Sequence, residues 1–337
     1  MVWAVANSNL ALVKYWGKSD EGAKQPAAAS LSVTLDSLCT VAGVEFSDTV
    51  AEDRIEGLPG GPAKRVAAFL DGFRSRFELR RRARVTLRSN FPVAAGLASS
   101  ASNFAALTKA AAAAAGLDLD DDELADVARL GSGSACRSIH GGFVEWRPED
   151  GRSVVERIAS KEHWPLCILV AVTSERPKDV GSSEGMRRTA ATSPYYRAWL
   201  DSGAEDFVEA RDAVLNRSLE RLGIVAERNC LRMHAAALAS LPPLLYWEPA
   251  TVAVMREVKA LRDRGTQAYF SIDAGPQVKV LCEPAMAPVV RAALGSVPGV
   301  LRVLESRPGG AARLLDSPPS WAVTRSPGAL SAEASAR

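Results

Sequence analysis

The run from Ala101 to Ala115 constrains this chain more than any other stretch. It is mostly alanine, the best helix former. Gly116 supplies a natural C-terminal stop. The entry to this helix, Pro92-Val93-Ala94-Ala95-Gly96-Leu97-Ala98-Ser99-Ser100, is likewise rich in small residues. Such a loop lets backbone approach an anion closely, and the free N–H groups of a helix start carry partial positive charge. Ser99 and Ser100 add hydroxyls that can donate hydrogen bonds or ligate Mg2+. The same residues could equally make a serine-capped packing helix. Neither G-x-x-x-x-G-K-[ST] nor G-x-G-x-x-G occurs, so any phosphate site is of another type.

Around this helix the pattern alternates between strand and helix. Val2–Val5, Leu31–Leu35, Cys39–Phe46 and Val85–Leu87 read as strands, as do Gly141–Trp146 and Leu166–Val172. Val66, Phe69, Leu70 and Phe73 stand at helical spacing within 64–77, and Asp120–Arg129 is a helix with acidic residues at its positive end. Gly131–Ser134 is a glycine- and serine-rich loop. Polar residues 175–183 form a loop and a candidate domain boundary. Helical patterns fill 183–241, and Thr251–Arg264 and Ala287–Leu294 are further helices. Strands Ala268–Ile272 and Val278–Cys282 are joined through Asp273-Ala274-Gly275-Pro276, and Leu301–Leu304 reads as a closing strand. Strands and helices mix in both halves, which predicts α+β lobes over 1–175 and 176–315. The tail 316–337 is expected to be poorly ordered.

Bulk properties exclude several classes. A net charge of +2 on 337 residues makes neither nucleic acid nor membrane a bulk partner. The most apolar stretch, Ala110–Leu117, is far shorter than the roughly 18 residues that span a bilayer. Five scattered cysteines and three histidines form neither a disulfide framework nor a metal-ligand pattern. A reducing cytoplasm fits best, and no signal peptide is evident.

The loop P-x-x-x-G-L-A-S-S resembles the ATP loop of the GHMP kinase superfamily. Four further segments narrow the resemblance. Asn9-Leu10-Ala11-Leu12-Val13-Lys14-Tyr15-Trp16-Gly17-Lys18 carries the K-Y-W-G-K signature of the diphosphomevalonate decarboxylases. Gly131-Ser132-Gly133-Ser134-Ala135-Cys136-Arg137-Ser138 is similar to their G-S-G-S-A-C-R-S loop. Lys178–Met186 resembles their K-D-V-S-S-x-x-G-M segment, and Ile272–Pro276 their D-A-G-P turn. The motifs cover nearly all of the chain except the tail.

The resemblance implies a two-lobed GHMP kinase fold, with a ribosomal-protein-S5-like N-terminal lobe and a ferredoxin-like C-terminal lobe. It implies ATP and Mg2+ as cofactors and mevalonate 5-diphosphate as substrate, in a homodimer. Asp273 would be the base or hydroxyl-orienting carboxylate, with Lys14, Arg137 and Ser99 in the catalytic set. The planar fork of Arg137 suits a substrate carboxylate. Tyr15, Trp16, Gly17, Lys18, Arg65, Ser132, Gly133, Ser134, Ala135, Cys136, Ser182 and Ser183 would surround the substrate. Asn9, Ala95, Gly96, Leu97, Ala98, Ser99 and Ser100 would hold ATP. No side-chain cluster is expected for the metal, which would come with ATP and reach Ser99 or Ser100.

The chain also departs from the pattern. Ala28 and Ala29 stand where Asn and Ser are usual, Gly181 where Ser is, and Gln277 where Asn is; Ser183 stands where bacterial relatives often carry Arg. These changes bear on substrate identity more than on reaction type. Phosphomevalonate decarboxylation and a mevalonate 3-kinase activity are the neighbouring readings, and a non-catalytic ligand-binding homologue is the distant one.

Overall fold

The computed structural model describes residues 1–323 except 21, 23, 59, 93–95, 150 and 151. Strands are numbered in chain order: β1 (Val2–Val13), β2 (Lys18–Asp20), β3 (Gln25–Pro26), β4 (Ser30–Ser47), β5 (Arg54–Glu56), β6 (Arg82–Ser89), β7 (Phe143–Glu149), β8 (Arg152–Ala159), β9 (Cys167–Val172), β10 (Ala268–Ile272), β11 (Val278–Cys282), β12 (Arg302–Ser306) and β13 (Arg313–Leu315). The helices are α1 (Gly60–Phe77), α2 (Ser99–Ala114), α3 (Asp121–Gly131), α4 (Ala135–His140), α5 (Ser182–Thr192), α6 (Tyr196–Leu215), α7 (Leu219–Leu238), α8 (Pro249–Asp263), α9 (Ala287–Gly295) and α10 (Ser320–Val323).

Two sheets organise these elements, giving the α+β architecture expected. The first has the order β13-β1-β4-β6-β5, with β7 paired to β4 and β8 to β7. The second has the order β10-β11-β9-β12. Strand β9 already belongs to the second sheet, so the sheets change over between Ala159 and Cys167, ahead of the polar loop at 175–183. Strand β13 returns to the first sheet, with Trp3 opposite Leu315. The sequence pattern missed β8, whose residues are half-buried or exposed, and the short β13 and α4. Of the expected disordered tail, residues 316–323 are described and include α10, with Ala322 buried; the rest lies outside the described residues.

Small side chains bring α2 down onto the first sheet. Ala101, Ala105, Ala106, Ala110 and Ala111 are buried in one core with Ala4 and Ala6 of β1, Ala42 and Val44 of β4, and Phe69 and Phe73 of α1. A reciprocal box starts α3: Asp120 accepts from the Glu123 N–H, and Glu123 accepts from the Asp120 N–H. In the second sheet, alternation along β11 separates two faces. Val278, Val280 and Cys282 face α8 and α9, while Leu281 packs into the core shared with Leu10, Leu12 and Val13 of β1. Lys279 lies on the Leu281 side, pointing at the junction of the two sheets. Through this shared core β1 touches both sheets, and its C-terminal end delivers Lys14.

Candidate active site

The chain leaves β1 at the junction of the sheets, and Lys14 follows. Its backbone N–H donates to Asn229 Oδ1 on α7 at 2.7 Å, which fixes the exit. Its Nζ donates to the Ala11 carbonyl at 2.8 Å and to Asp273 Oδ1 at 2.8 Å. Asp273 sits just past β10, and its other oxygen, Oδ2, lies 3.1 Å from Lys279 Nζ. Burial alone would raise the Asp273 carboxyl, but the charges of Lys14 and Lys279, with their hydrogen bonds, outweigh it. They hold the group far below the usual carboxylate range.

Arg137, on α4, is buried and its fork is held by hydroxyls rather than by a carboxylate. Nε donates to Ser32 Oγ at 3.0 Å and Nη1 to Ser30 Oγ at 2.8 Å, both on β4. Its face lies 5.8 Å from the Trp146 ring centre. Burial lowers its pKa, as expected for a cation without an adjacent counter-ion. Asn9 brackets α4 to β1: its Nδ2 donates to Ser138 Oγ at 2.7 Å and to the Ser134 carbonyl at 3.1 Å, while Oδ1 faces Arg137 Nη2 at 3.5 Å.

The small-residue loop closes against the Asp273 turn. Gly96 has φ +83°, and a Cβ there would stand 2.8 Å from Gly275 Cα. Ser8, where the β1–β4 register shifts, donates to the Leu97 carbonyl at 2.6 Å. Ala98 is left-handed, φ 54°, and α2 starts at Ser99. Ser100 Oγ accepts from Arg65 Nη1 at 3.3 Å. On the opposite wall, Lys178 Nζ donates to Ser182 Oγ and to the Ala274 carbonyl, both at 2.8 Å. Burial lowers its pKa to about 8.

These parts enclose a cavity of about 270 Å3. Among the sequence-predicted residues it is lined by Asn9, Lys14, Tyr15, Trp16, Lys18, Arg65, Gly96, Ala98, Ser99, Ser100, Ser132, Gly133, Ser134, Arg137, Ser182, Ser183 and Asp273. Four others do not line it. Leu97, Ala135 and Cys136 are buried in the core beneath it. The Cys136 thiol donates to the Gly133 carbonyl at 3.0 Å and is pushed up by burial to about 12. Gly17 lies under Tyr196, whose hydroxyl would meet a Cβ there at 1.9 Å. Ala95 lies outside the described residues. Sequence reasoning named neither Lys24 nor Lys178 as a site residue, and both line the cavity; Lys279 stands behind it. The signal for Lys279 was a charge inside an otherwise apolar strand. Gln277 supports the turn rather than the cavity, accepting from the Thr173 N–H at 2.7 Å.

Among the described lining residues, six cations face a single carboxylate, Asp273. Neither Asp273, held by two ammoniums, nor any other His, Cys, Asp or Glu belongs to a group that could hold a metal, among the described residues. The hydroxyls of Ser99 and Ser100 are the fitting donors for a metal that arrives with phosphate oxygens.

Comparisons agree with this geometry. Residues 6–155 match the family model of the diphosphomevalonate decarboxylase-like N-terminal domain, and residues 168–301 the mevalonate 5-diphosphate decarboxylase C-terminal domain. The human diphosphomevalonate decarboxylase is 36% identical, covering 83% of this chain and 76% of its own. The Candida albicans enzyme is 33% identical, covering 86% and 88%. The structure of mevalonate diphosphate decarboxylase from Staphylococcus aureus superposes with a TM-score of 0.87 at 36% identity, covering 94% of this chain and 99% of that one. The complex of MDDEF with MVAPP, AMPPCP and magnesium gives 0.87 at 37%, with the same coverage. With both halves matched in order, and with a cation-lined cavity around one carboxylate where the halves meet, the chain belongs to the diphosphomevalonate decarboxylases of the GHMP kinase superfamily.

Proposed function

We infer that the protein uses ATP to phosphorylate the C3 hydroxyl of (R)-mevalonate 5-diphosphate and then releases phosphate and CO2, forming isopentenyl diphosphate and ADP. The observation that carries this reading is the cavity's charge: Lys14, Lys18, Lys24, Arg65, Arg137 and Lys178 against one acid, Asp273. Such a wall suits two ligands that together carry a carboxylate, a diphosphate and a triphosphate.

Asp273 accepts a hydrogen bond from the C3 hydroxyl and aims its oxygen at the γ-phosphoryl group. As the new C3–O–P bond forms, the bond from the γ-phosphorus to the β–γ bridging oxygen breaks with its electron pair leaving on ADP. The hydroxyl proton passes to a phosphoryl oxygen. A carboxylate held between two ammoniums is a weak base, so its contribution is orientation. That suffices, because phosphoryl transfer passes through a loose transition state that needs little early proton removal. Arg137, without a carboxylate partner among the described residues, grips the substrate carboxylate. Ser132, Ser134, Lys18 and Arg65 take the diphosphate. Magnesium supplies charge neutralisation on the nucleotide phosphates when bound. Ser99 and Ser100 would hold it beside those oxygens. In the second stage the C3–O bond breaks with its electron pair leaving on phosphate. The C–C bond to the carboxylate then supplies the pair that forms the alkene, and CO2 departs. The cations that hold the carboxylate and the phosphate fix the geometry in which both leave.

The proposal includes a cytoplasmic homodimer. Free thiols at all five cysteines support a reducing compartment. Exposed apolar side chains on α6 and α7, among them Val208, Ile224 and Leu231, support self-association. Light scattering in solution tests the dimer.

Purified protein with ATP, Mg2+ and mevalonate 5-diphosphate should yield ADP and CO2 in equal amounts. ADP without CO2 would leave a 3-kinase. Turnover with mevalonate 5-phosphate alone would mean that the cavity around Gly181 and Ser183 selects the monophosphate.

A further inference from the structure

We propose that Lys279 is a positioning residue that ties Asp273 to the Gly96 carbonyl, setting the hydroxyl-orienting carboxylate and the phosphate-binding loop as one unit. Its Nζ lies 3.1 Å from Asp273 Oδ2 and donates to the Gly96 carbonyl at 2.8 Å. These partners come from opposite halves of the chain; Gly96 precedes the lysine by 183 residues. Lys279 is only 1% exposed and is absent from the described cavity lining, so it acts through its partners rather than on substrate. A fully buried lysine is rare and needs its charge met. Here it is met by the one carboxylate of the site.

Two consequences follow from the geometry. With Lys14 on Oδ1 and Lys279 on Oδ2, the Asp273 carboxylate cannot rotate about its last torsion without losing an ion pair. The second consequence concerns the loop. A phosphate site needs backbone N–H groups toward the anion and carbonyls turned elsewhere. Lys279 takes the Gly96 carbonyl, and Ser8 Oγ takes the next one, Leu97, at 2.6 Å. Successive carbonyls are thereby drawn off just before α2 begins.

The charged and titratable groups facing the Asp273–Lys279 pair are Lys14, Lys178, Arg137, Cys230 and His234. Burial pushes the Cys230 thiol up to about 11 and His234 down to about 3. Lys178, near 8, titrates on the alkaline side.

The inference rests on the decarboxylase reading, and the wild-type enzyme is measured in the same buffers to separate the two. The kcat and the KM for ATP are measured for each variant at neutral pH, so that loss of turnover is separated from loss of nucleotide binding. Lys279→Met should lower kcat at neutral pH by about tenfold or more. It should also raise the KM for ATP, because the Gly96 carbonyl loses its donor. Lys279→Arg, which keeps the charge, should recover most of the kcat lost in Lys279→Met. Ser8→Ala, which removes only the donor to Leu97, should raise the KM for ATP with kcat little changed. Should Lys279→Met not fold, Lys279→Arg and Ser8→Ala decide. A Lys279→Met enzyme with the wild-type kcat and KM for ATP overturns the proposal. So does a Lys279→Arg enzyme as impaired as Lys279→Met, or an unchanged KM for ATP in Ser8→Ala. An inactive wild type would instead overturn the function itself.

Discussion

Lys14 and Asp273 stand 259 residues apart in the chain, yet Nζ and Oδ1 are 2.8 Å from each other. One comes from the end of β1 and the other from the turn after β10, so the contact forms only once both sheets are assembled. Asp273→Asn would leave two buried ammoniums, at Lys14 and Lys279, without their counter-charge. The expected cost is about 3 kcal/mol of stability, with kcat lower by at least about 100-fold. Calorimetry reads the first and ADP release the second. A variant of unchanged melting temperature and undiminished turnover would remove Asp273 from the site.

Arg137→Lys keeps the charge and loses the fork. The two contacts to Ser30 and Ser32 cannot both be made by one ammonium. We expect kcat/KM for the substrate to fall by about 100-fold with the KM for ATP little changed. A comparable rise in both Michaelis constants would argue for general collapse of α4 instead.

Gly96→Ala tests the close approach of loop and turn. The new Cβ meets Gly275 Cα at 2.8 Å, and φ +83° is strained for alanine. Backbone must move, at a cost of about 1–3 kcal/mol. The KM for ATP should rise well before substrate affinity suffers, and wild-type nucleotide affinity would contradict a loop held by this packing.

Lys178 predicts an alkaline limb. Burial lowers its pKa to about 8, below the ordinary lysine value of 10.5. Its ammonium charge is thus lost as pH rises through about 8 in the folded protein, while the unfolded chain keeps it. Between those values the unfolded state binds more protons, so this group makes folding more favourable as pH rises. Activity should move the other way, because phosphate neutralisation loses a charge. Lys178→Arg should abolish the limb in a kcat/KM profile. A limb persisting in that variant would assign it to another group.

Much of this was legible in the sequence, for identifiable reasons. Strands β10 and β11 and helices α2 and α3 follow plain rules: alternation, alanine content, and an acidic cap. The full lengths of β1 and β4 were hidden. The residues that spoil their apolar pattern are Ser8, Asn9, Ser30 and Ser32, and these hold the loop and Arg137. Function had overwritten the folding signal there. The loop motif likewise suggested that Ala135 and Cys136 face ligand. Helix α4 turns them into the core instead, because a six-residue helix presents only one side to the cavity, the side of Arg137. No local pattern could pair Lys279 with Gly96, since that contact depends on how the two sheets pack.

The return of β13 to the first sheet bears on how the protein is made. Strand β1 leaves the ribosome early, but its edge partner, Arg313–Leu315, comes after the entire second sheet has been translated. Until then the outer edge of β1 at Trp3–Val5, the start of the strand that leads to Lys14, is an open row of backbone donors and acceptors. A nascent chain stalled before residue 313 would expose that edge to other chains, so translation speed over the second half bears directly on aggregation.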